Sequence, residues 1–173
     1  MKTLNLMLAT LTMAGCGTMN TADFAGKEPR LDLFEYFAGS TTAWGLFEDR
    51  FGKVRRQFRV DIQGNITGDV LVLEEDFHYA DGEVDQRTWR IRRTGNDTYS
   101  GTAADVVGEA IGVTAGNAVN WRYTMDLKVG DGTMRVKFDD WMFLQDEDVL
   151  INRAKVSKLG LEVGTVSLFF TRS

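Results

Sequence analysis

Cysteine and histidine are almost missing from this chain: Cys16 and His78 are the only ones among 173 residues. With Cys16 set aside, no thiol remains for a disulfide, a nucleophile or a zinc site. One histidine excludes histidine ligand clusters and relays that need a second histidine. No G-x-S-x-G elbow, P-loop or G-x-G-x-x-G occurs either, so the sequence predicts no catalytic set, no metal and no cofactor. Proline appears once against 18 glycines, a profile rich in turn residues. Positive charge is in deficit, 20 Lys and Arg against 25 Asp and Glu, for a formal charge of −5. Removing Met1 to Gly15 takes away only Lys2 and gives −6. An acidic body is repelled by phosphate backbones and anionic lipid surfaces, and nucleic acid is not expected as a partner. At this length the chain has room for one domain with a sizeable core, and no repeat or second domain is visible.

The first apolar run is too short to span a bilayer durably. "MKTLNLMLATLTMAGC" carries one charge near its start, a short apolar stretch and small residues before Cys16, the layout of an export signal. It resembles a bacterial lipoprotein signal, in which a small-residue pair (here Ala14 and Gly15) precedes a cysteine that becomes the mature first residue and carries diacylglycerol. Met13 stands where leucine is usual. The resemblance implies a signal peptide over 1–15, a membrane anchor of several acyl chains on Cys16, and, because Gly17 follows and not aspartate, release towards the outer membrane on its periplasmic side. "GTMNTADFAGKEPR" (17–30) reads as a polar tether whose fourteen residues could reach roughly 45 Å when extended.

From Leu31 to Ser173 the pattern is that of one domain with period two. "KVRRQFRVDIQ" places Val54, Phe58, Val60 and Ile62 on one face and Lys53, Arg55, Gln57, Arg59 and Asp61 on the other. "AVNWRYTMDLKV" and "TMRVKFDDWMFL" alternate in the same way. Such strands bury one face and wet the other, as in antiparallel sheets. "QGN" (63–65), "ADG" (80–82), "TGND" (94–97), "GDG" (130–132) and "DED" (146–148) read as hairpin connectors. Eight or nine long strands in simple succession predict an all-β, antiparallel up-and-down barrel, with a two-sheet sandwich as the alternative. A barrel bore of this size is either filled or holds one small ligand.

One region breaks the alternation. "GTAADVVGEAIGVTAGNA" (101–118) is rich in small residues, and Gly108, Gly112 and Gly116 recur every fourth position. It predicts a lid, short helix or bent strand near 103–116 across one barrel end.

Two further resemblances follow. "DLFEYFAG" with Trp44, and Arg172 in "VSLFFTR", resemble the calycin arrangement. In lipocalin-like barrels of that kind an early tryptophan packs against an arginine from the end of the barrel. Gly39 lies five positions before Trp44, where lipocalins carry glycine two before. "GTAADVVGEAIG", "GNAVNWRY", "FDDWM" and "NRAKVSKLG" are similar to bacterial envelope proteins grouped as a domain of unknown function. That similarity implies no activity and no catalytic residues.

Polar residues in apolar registers are the candidates for function. Arg56 falls in register with Val54 and Phe58, Glu75 with Leu71, Leu73 and Phe77, Asp140 with Phe138 and Met142, and Asn152 with Leu150 and Ala154. A charge buried alone costs several kcal/mol, so Arg56 is expected to meet Asp140, Glu75 or water. Arg56 would offer a planar handle to a carboxylate or phosphate headgroup, with Trp121, Tyr123, Phe138 and Met142 as an apolar wall. The sequence therefore predicts a lipid-anchored periplasmic barrel that binds a small lipophilic or acyl ligand. The alternatives are a filled barrel acting as an envelope scaffold, and a lipid-acting enzyme using Asp140, Glu75 or His78. No protein partner is readable.

Overall fold

A computed structural model describes residues 18–129 and 132–172. The amphipathic alternation resolves into ten antiparallel strands, one or two more than the sequence reading. They are β1 (Gly39–Asp49), β2 (Val54–Thr67), β3 (Val70–Tyr79), β4 (Val84–Arg93), β5 (Thr98–Thr102), β6 (Ala110–Ala115), β7 (Ala118–Val129), β8 (Gly132–Leu144), β9 (Val149–Lys158) and β10 (Leu161–Arg172). Each pairs with its sequence neighbour, and β1 pairs with β10 to close the barrel. Closure hides the inner face and removes the sheet edges together.

The extra strands come from the small-residue region. No helix forms there; residues 98–115 fold as β5 and β6, joined by a loop over 103–109. The glycine spacing has a strand explanation at Gly112, where a Cβ would stand 3.0 Å from the Trp121 ring. A second reading is corrected at "QGN", which lies inside β2; the chain turns at Gly68 and Asp69, between β2 and β3. Gly64 is there because a Cβ would come within 1.6 Å of the Phe37 carbonyl oxygen.

That carbonyl belongs to a cap over one barrel end. Asp32 accepts hydrogen bonds from the N–H groups of Phe34 (2.9 Å) and Glu35 (3.3 Å), starting a single helical turn, α1 (Leu33–Tyr36). Leu31, Leu33, Phe34, Tyr36 and Phe37 are all buried and join the main core with Ala43, Val60, Leu71, Ile91, Val119 and Leu150. Arg93 at the end of β4 donates to both Asp32 oxygens, at 2.7 and 2.8 Å. Burial works against the Asp32 carboxylate, but the Arg93 bonds and the two N–H donors outweigh it and hold its pKa below the ordinary value. The Tyr36 hydroxyl donates to the Asp148 carbonyl at 2.9 Å in the β8–β9 turn.

The tryptophan–arginine contact expected from the calycin resemblance is not made. Trp44 points outwards, 48% exposed, with its ring 6.3 Å from that of Phe169. Arg172 lies 5.9 Å from the ring of Tyr36 in the cap. An aromatic of the cap takes the place in which an early strand tryptophan was expected.

Cys16 and the segment 1–15 lie outside the described residues. Of the stretch read as a tether, Thr21–Phe24 forms a 3-10 turn. Phe24 packs on the outer wall against Trp141 and Phe143, with ring centroids 5.7 and 5.3 Å apart.

Candidate functional site

The wall of the barrel is incomplete at one place. β4 pairs with β5 only over Arg90–Arg93, and β6 pairs with β7 only as far as Arg122. Below these short strands, towards the uncapped end, the loop 103–109 fills the gap between β4 and β7. On the β7 side it is held by backbone: Val107 N–H donates to Thr124 (2.8 Å) and Asp126 N–H to Asp105 (2.9 Å). On the β4 side, side chains make the closure. Arg87 donates to Asp105 Oδ2 from Nε at 3.0 Å and from Nη2 at 2.9 Å.

Arg87 shares an inward register with Trp89 and Ile91, and its guanidinium also lies 3.9 Å from Glu75 on β3, 4.0 Å from Met125 Sδ and 5.1 Å from the Phe77 ring centroid. Glu75 is only 13% exposed. Burial pushes its pKa up to about 7 against the pull of Arg87, and Asp105 and Asp140 push it the same way. Asp105 Oδ1 is buried and has no partner among the described residues.

The second half of the cluster centres on Asp140 of β8. Tyr123 of β7 donates its hydroxyl to Oδ2 at 3.1 Å, and Asn152 of β9 donates its amide to Oδ1 and to the Trp141 carbonyl at 3.1 Å. Burial raises Asp140 to about 6, although both donors favour the carboxylate. Tyr123 is raised well above the ordinary phenol value, first by burial and then by Asp140. Its ring stacks on Phe138 (4.8 Å) and meets Trp89 edge-on (5.6 Å).

Of the residues predicted from sequence, Glu75, Tyr123, Phe138, Asp140 and Asn152 come together in the bore. Trp121 and Met142 lie higher, in the packed core under the cap. Arg56 does not meet Glu75 or Asp140. It keeps the inward register but stands at the rim of the uncapped end, paired with Asp81 (3.1 Å) and Glu83 (2.8 Å) and 3.6 Å from the Tyr79 ring centroid. β2 begins two residues earlier, so the register is correct but the height is wrong. Arg87 is the internal cation, and the same alternation in "VDQRTWRIRR" carries its signal. Asp105 had no such signal, because a loop residue has no period. His78 points outwards, half exposed, 3.3 Å from Asp61.

The lower bore below the cluster is lined by half-buried rings: Phe77 stacks on Tyr79 at 6.1 Å, and Phe58 meets both at a tilt, at 6.0 and 5.6 Å. A concavity of about 330 Å³ lies on the outer wall between Thr18–Thr21 and Ile111, Val113, Asn120, Arg122 and Trp141. Another, of about 300 Å³, lies at the rim beside Arg56 and Asp81.

The chain thus folds as a closed all-β antiparallel barrel of ten strands, capped at one end, with a titratable cluster in its bore. The chain belongs to the family described as "Protein of unknown function (DUF3833)", whose model matches residues 10–172. No curated protein matches the sequence. Among solved structures, the chain is similar to the S-type phycobiliprotein lyase CPES from Guillardia theta, with a TM-score of 0.62 at 10% identity over 81% of this chain and 90% of that one. A redesigned beta barrel aligns with a TM-score of 0.43 at 11% identity over 81% of this chain and 94% of that one. At 10% identity the likeness to the lyase is one of fold.

Proposed function

We propose that this protein is a lipid-anchored envelope barrel, held to the outer membrane through Cys16 and facing the periplasm, that binds a small lipophilic ligand in the lower bore. One observation carries the binding reading. Glu75, Arg87, Asp105, Tyr123 and Asp140 are gathered inside the wall, with one carboxylate oxygen unpartnered and two acids raised by burial. A barrel serving only as a scaffold would be more stable with apolar residues of the same volume at these positions.

The cluster also constrains the ligand. Arg87 is already engaged by Asp105 and Glu75, so an anionic headgroup would have to displace them. Three carboxyl groups against one guanidinium favour an uncharged donor or a cationic polar end, with the apolar part among Phe58, Phe77 and Tyr79. This differs from the carboxylate or phosphate handle expected at Arg56. Packing under the cap restricts the ligand to the lower bore.

Native mass spectrometry of the protein purified from its own envelope tests this reading. A bound small molecule is expected on the natural chain and is expected to be lost from Asp105→Asn and Glu75→Leu chains that still fold. A natural chain that is always empty supports the second reading, a filled scaffold whose outer surface engages an envelope partner, a role that the concavities on the outer wall and rim would suit.

A further inference from the structure

The uncapped end of the barrel displays apolar residues at its hairpin tips: Val84 (69% exposed) and Val129 (56%) stand singly on the β3–β4 and β7–β8 tips, and the larger side chains gather on the other two. Around this rim the β1–β2 tip is followed by the β9–β10 tip, because β1 pairs with β10, and Arg50 N–H donates to the Val163 carbonyl at 3.1 Å. On these two tips Phe51 is 78% exposed, Leu159 95% and Leu161 66%. Arg50, with its guanidinium 4.7 Å from the Phe51 ring centroid, Lys53 and Lys158 flank them, and none of these three forms an ion pair among the described residues. The β3–β4 tip beyond Arg56 is acidic instead, with Asp81, Glu83 and Asp85.

Leu159 makes the display deliberate in physical terms. It has φ +50° and is followed by Gly160 at +82°, with Lys158 paired to Leu161. This two-residue hairpin needs left-handed backbone at both central positions, where asparagine, aspartate or glycine fit without strain. A leucine that is both strained and wet gains nothing from the folded chain alone.

We infer that the arc formed by the β1–β2 and β9–β10 tips seats on the interface of an anionic lipid bilayer, Phe51, Leu159 and Leu161 entering the headgroup layer while Arg50, Lys53 and Lys158 meet the lipid phosphates. Apolar tips beside cations match that layer in both polarity and charge. The net negative charge of the chain does not oppose this: Asp49 and Glu162 on the arc are paired with Arg55 and Lys155, Asp81 and Glu83 on the adjoining β3–β4 tip are paired with Arg56, and salt screens charges beyond about 8 Å. The inference stands apart from the ligand reading and from acylation of Cys16.

The test uses the full chain with Cys16→Ser, carrying a nitroxide at Leu159→Cys or, for comparison, at Ile66→Cys on the opposite barrel end. On vesicles of phosphatidylethanolamine and phosphatidylglycerol, the label at 159 is expected to lose contact with an aqueous nickel reagent and gain contact with oxygen. The label at 66 is expected to stay in water. Equal exposure, or equal burial, of the two labels overturns the inference. Leu159→Asn is expected to melt no lower than its Cys16→Ser parent, since it relieves the turn, and to bind the vesicles about tenfold more weakly. Unchanged vesicle affinity of that variant overturns the inference. Lys53→Gln is expected to weaken binding about fivefold on these vesicles and not on pure phosphatidylcholine; an equal effect on both overturns the role given to charge.

Discussion

Arg87 closes the wall of the barrel by pairing with Asp105 and is also the cation nearest Glu75. Arg87→Ala would leave two carboxylates inside without their counter-charge, and a loss of roughly 3–5 kcal/mol is expected in urea unfolding. Arg56→Ala, whose acidic partners at the rim are exposed, is expected to cost at most about 1 kcal/mol. Near-equal losses would show that the internal cation has been misassigned. Glu75 and Asp140 add a pH signature. Their folded pKa values, about 7 and about 6, stand above ordinary values of 4.5 and 3.8. Between about pH 4 and 7 the folded barrel therefore holds protons that the unfolded chain has released, and stability falls as pH rises through that window. Calorimetry is expected to show a higher melting temperature at pH 5 than at pH 8, by the equivalent of roughly 4 kcal/mol for the two groups together. Glu75→Gln, which has no proton to lose, is expected to flatten that slope.

The elements around the cluster divide into a rigid cap and a weakly tied loop. Gly64→Ala forces a methyl group into the Phe37 carbonyl. Either the cap lifts or β2 shifts, at an expected cost of about 1–3 kcal/mol, with faster proteolysis after residue 30 as the local readout. The loop 103–109 depends on two backbone bonds to β7 and one ion pair to β4. Its Val107 amide, and that of Asp126, are expected to exchange hydrogen sooner than the β7–β8 ladder, and Asp105→Asn is expected to hasten both without affecting the β1–β10 pairing. The strands themselves were legible from alternation, including the inward register of Glu75, Asp140 and Asn152. The turn read at "QGN" was not, and near 103–116, where a lid, short helix or bent strand was open, the pair of strands joined by a wall-filling loop was not, because a glycine looks the same in a sequence whether it bends the chain or makes room for a neighbour. At Gly64 and Gly112 it makes room.

For the molecule as a whole, the anchor is the first thing to measure. Growth in radiolabelled palmitate is expected to label the natural chain and to leave Cys16→Ser unlabelled; an unlabelled natural chain removes the anchored reading and leaves the barrel. The sequence by itself determined the all-β class, the up-and-down succession of strands, and which side chains face inwards, because each of these follows from local period and turn chemistry. Only the tertiary structure decided which inward charge sits deep and which at the rim, that residues 31–37 plug one end, and that a loop carboxylate completes the wall. These depend on strand stagger and on contacts between residues far apart in the chain, such as Asp32 with Arg93 and Tyr36 with Asp148. Periodicity specifies direction, but height along the barrel is set only when the ten strands close.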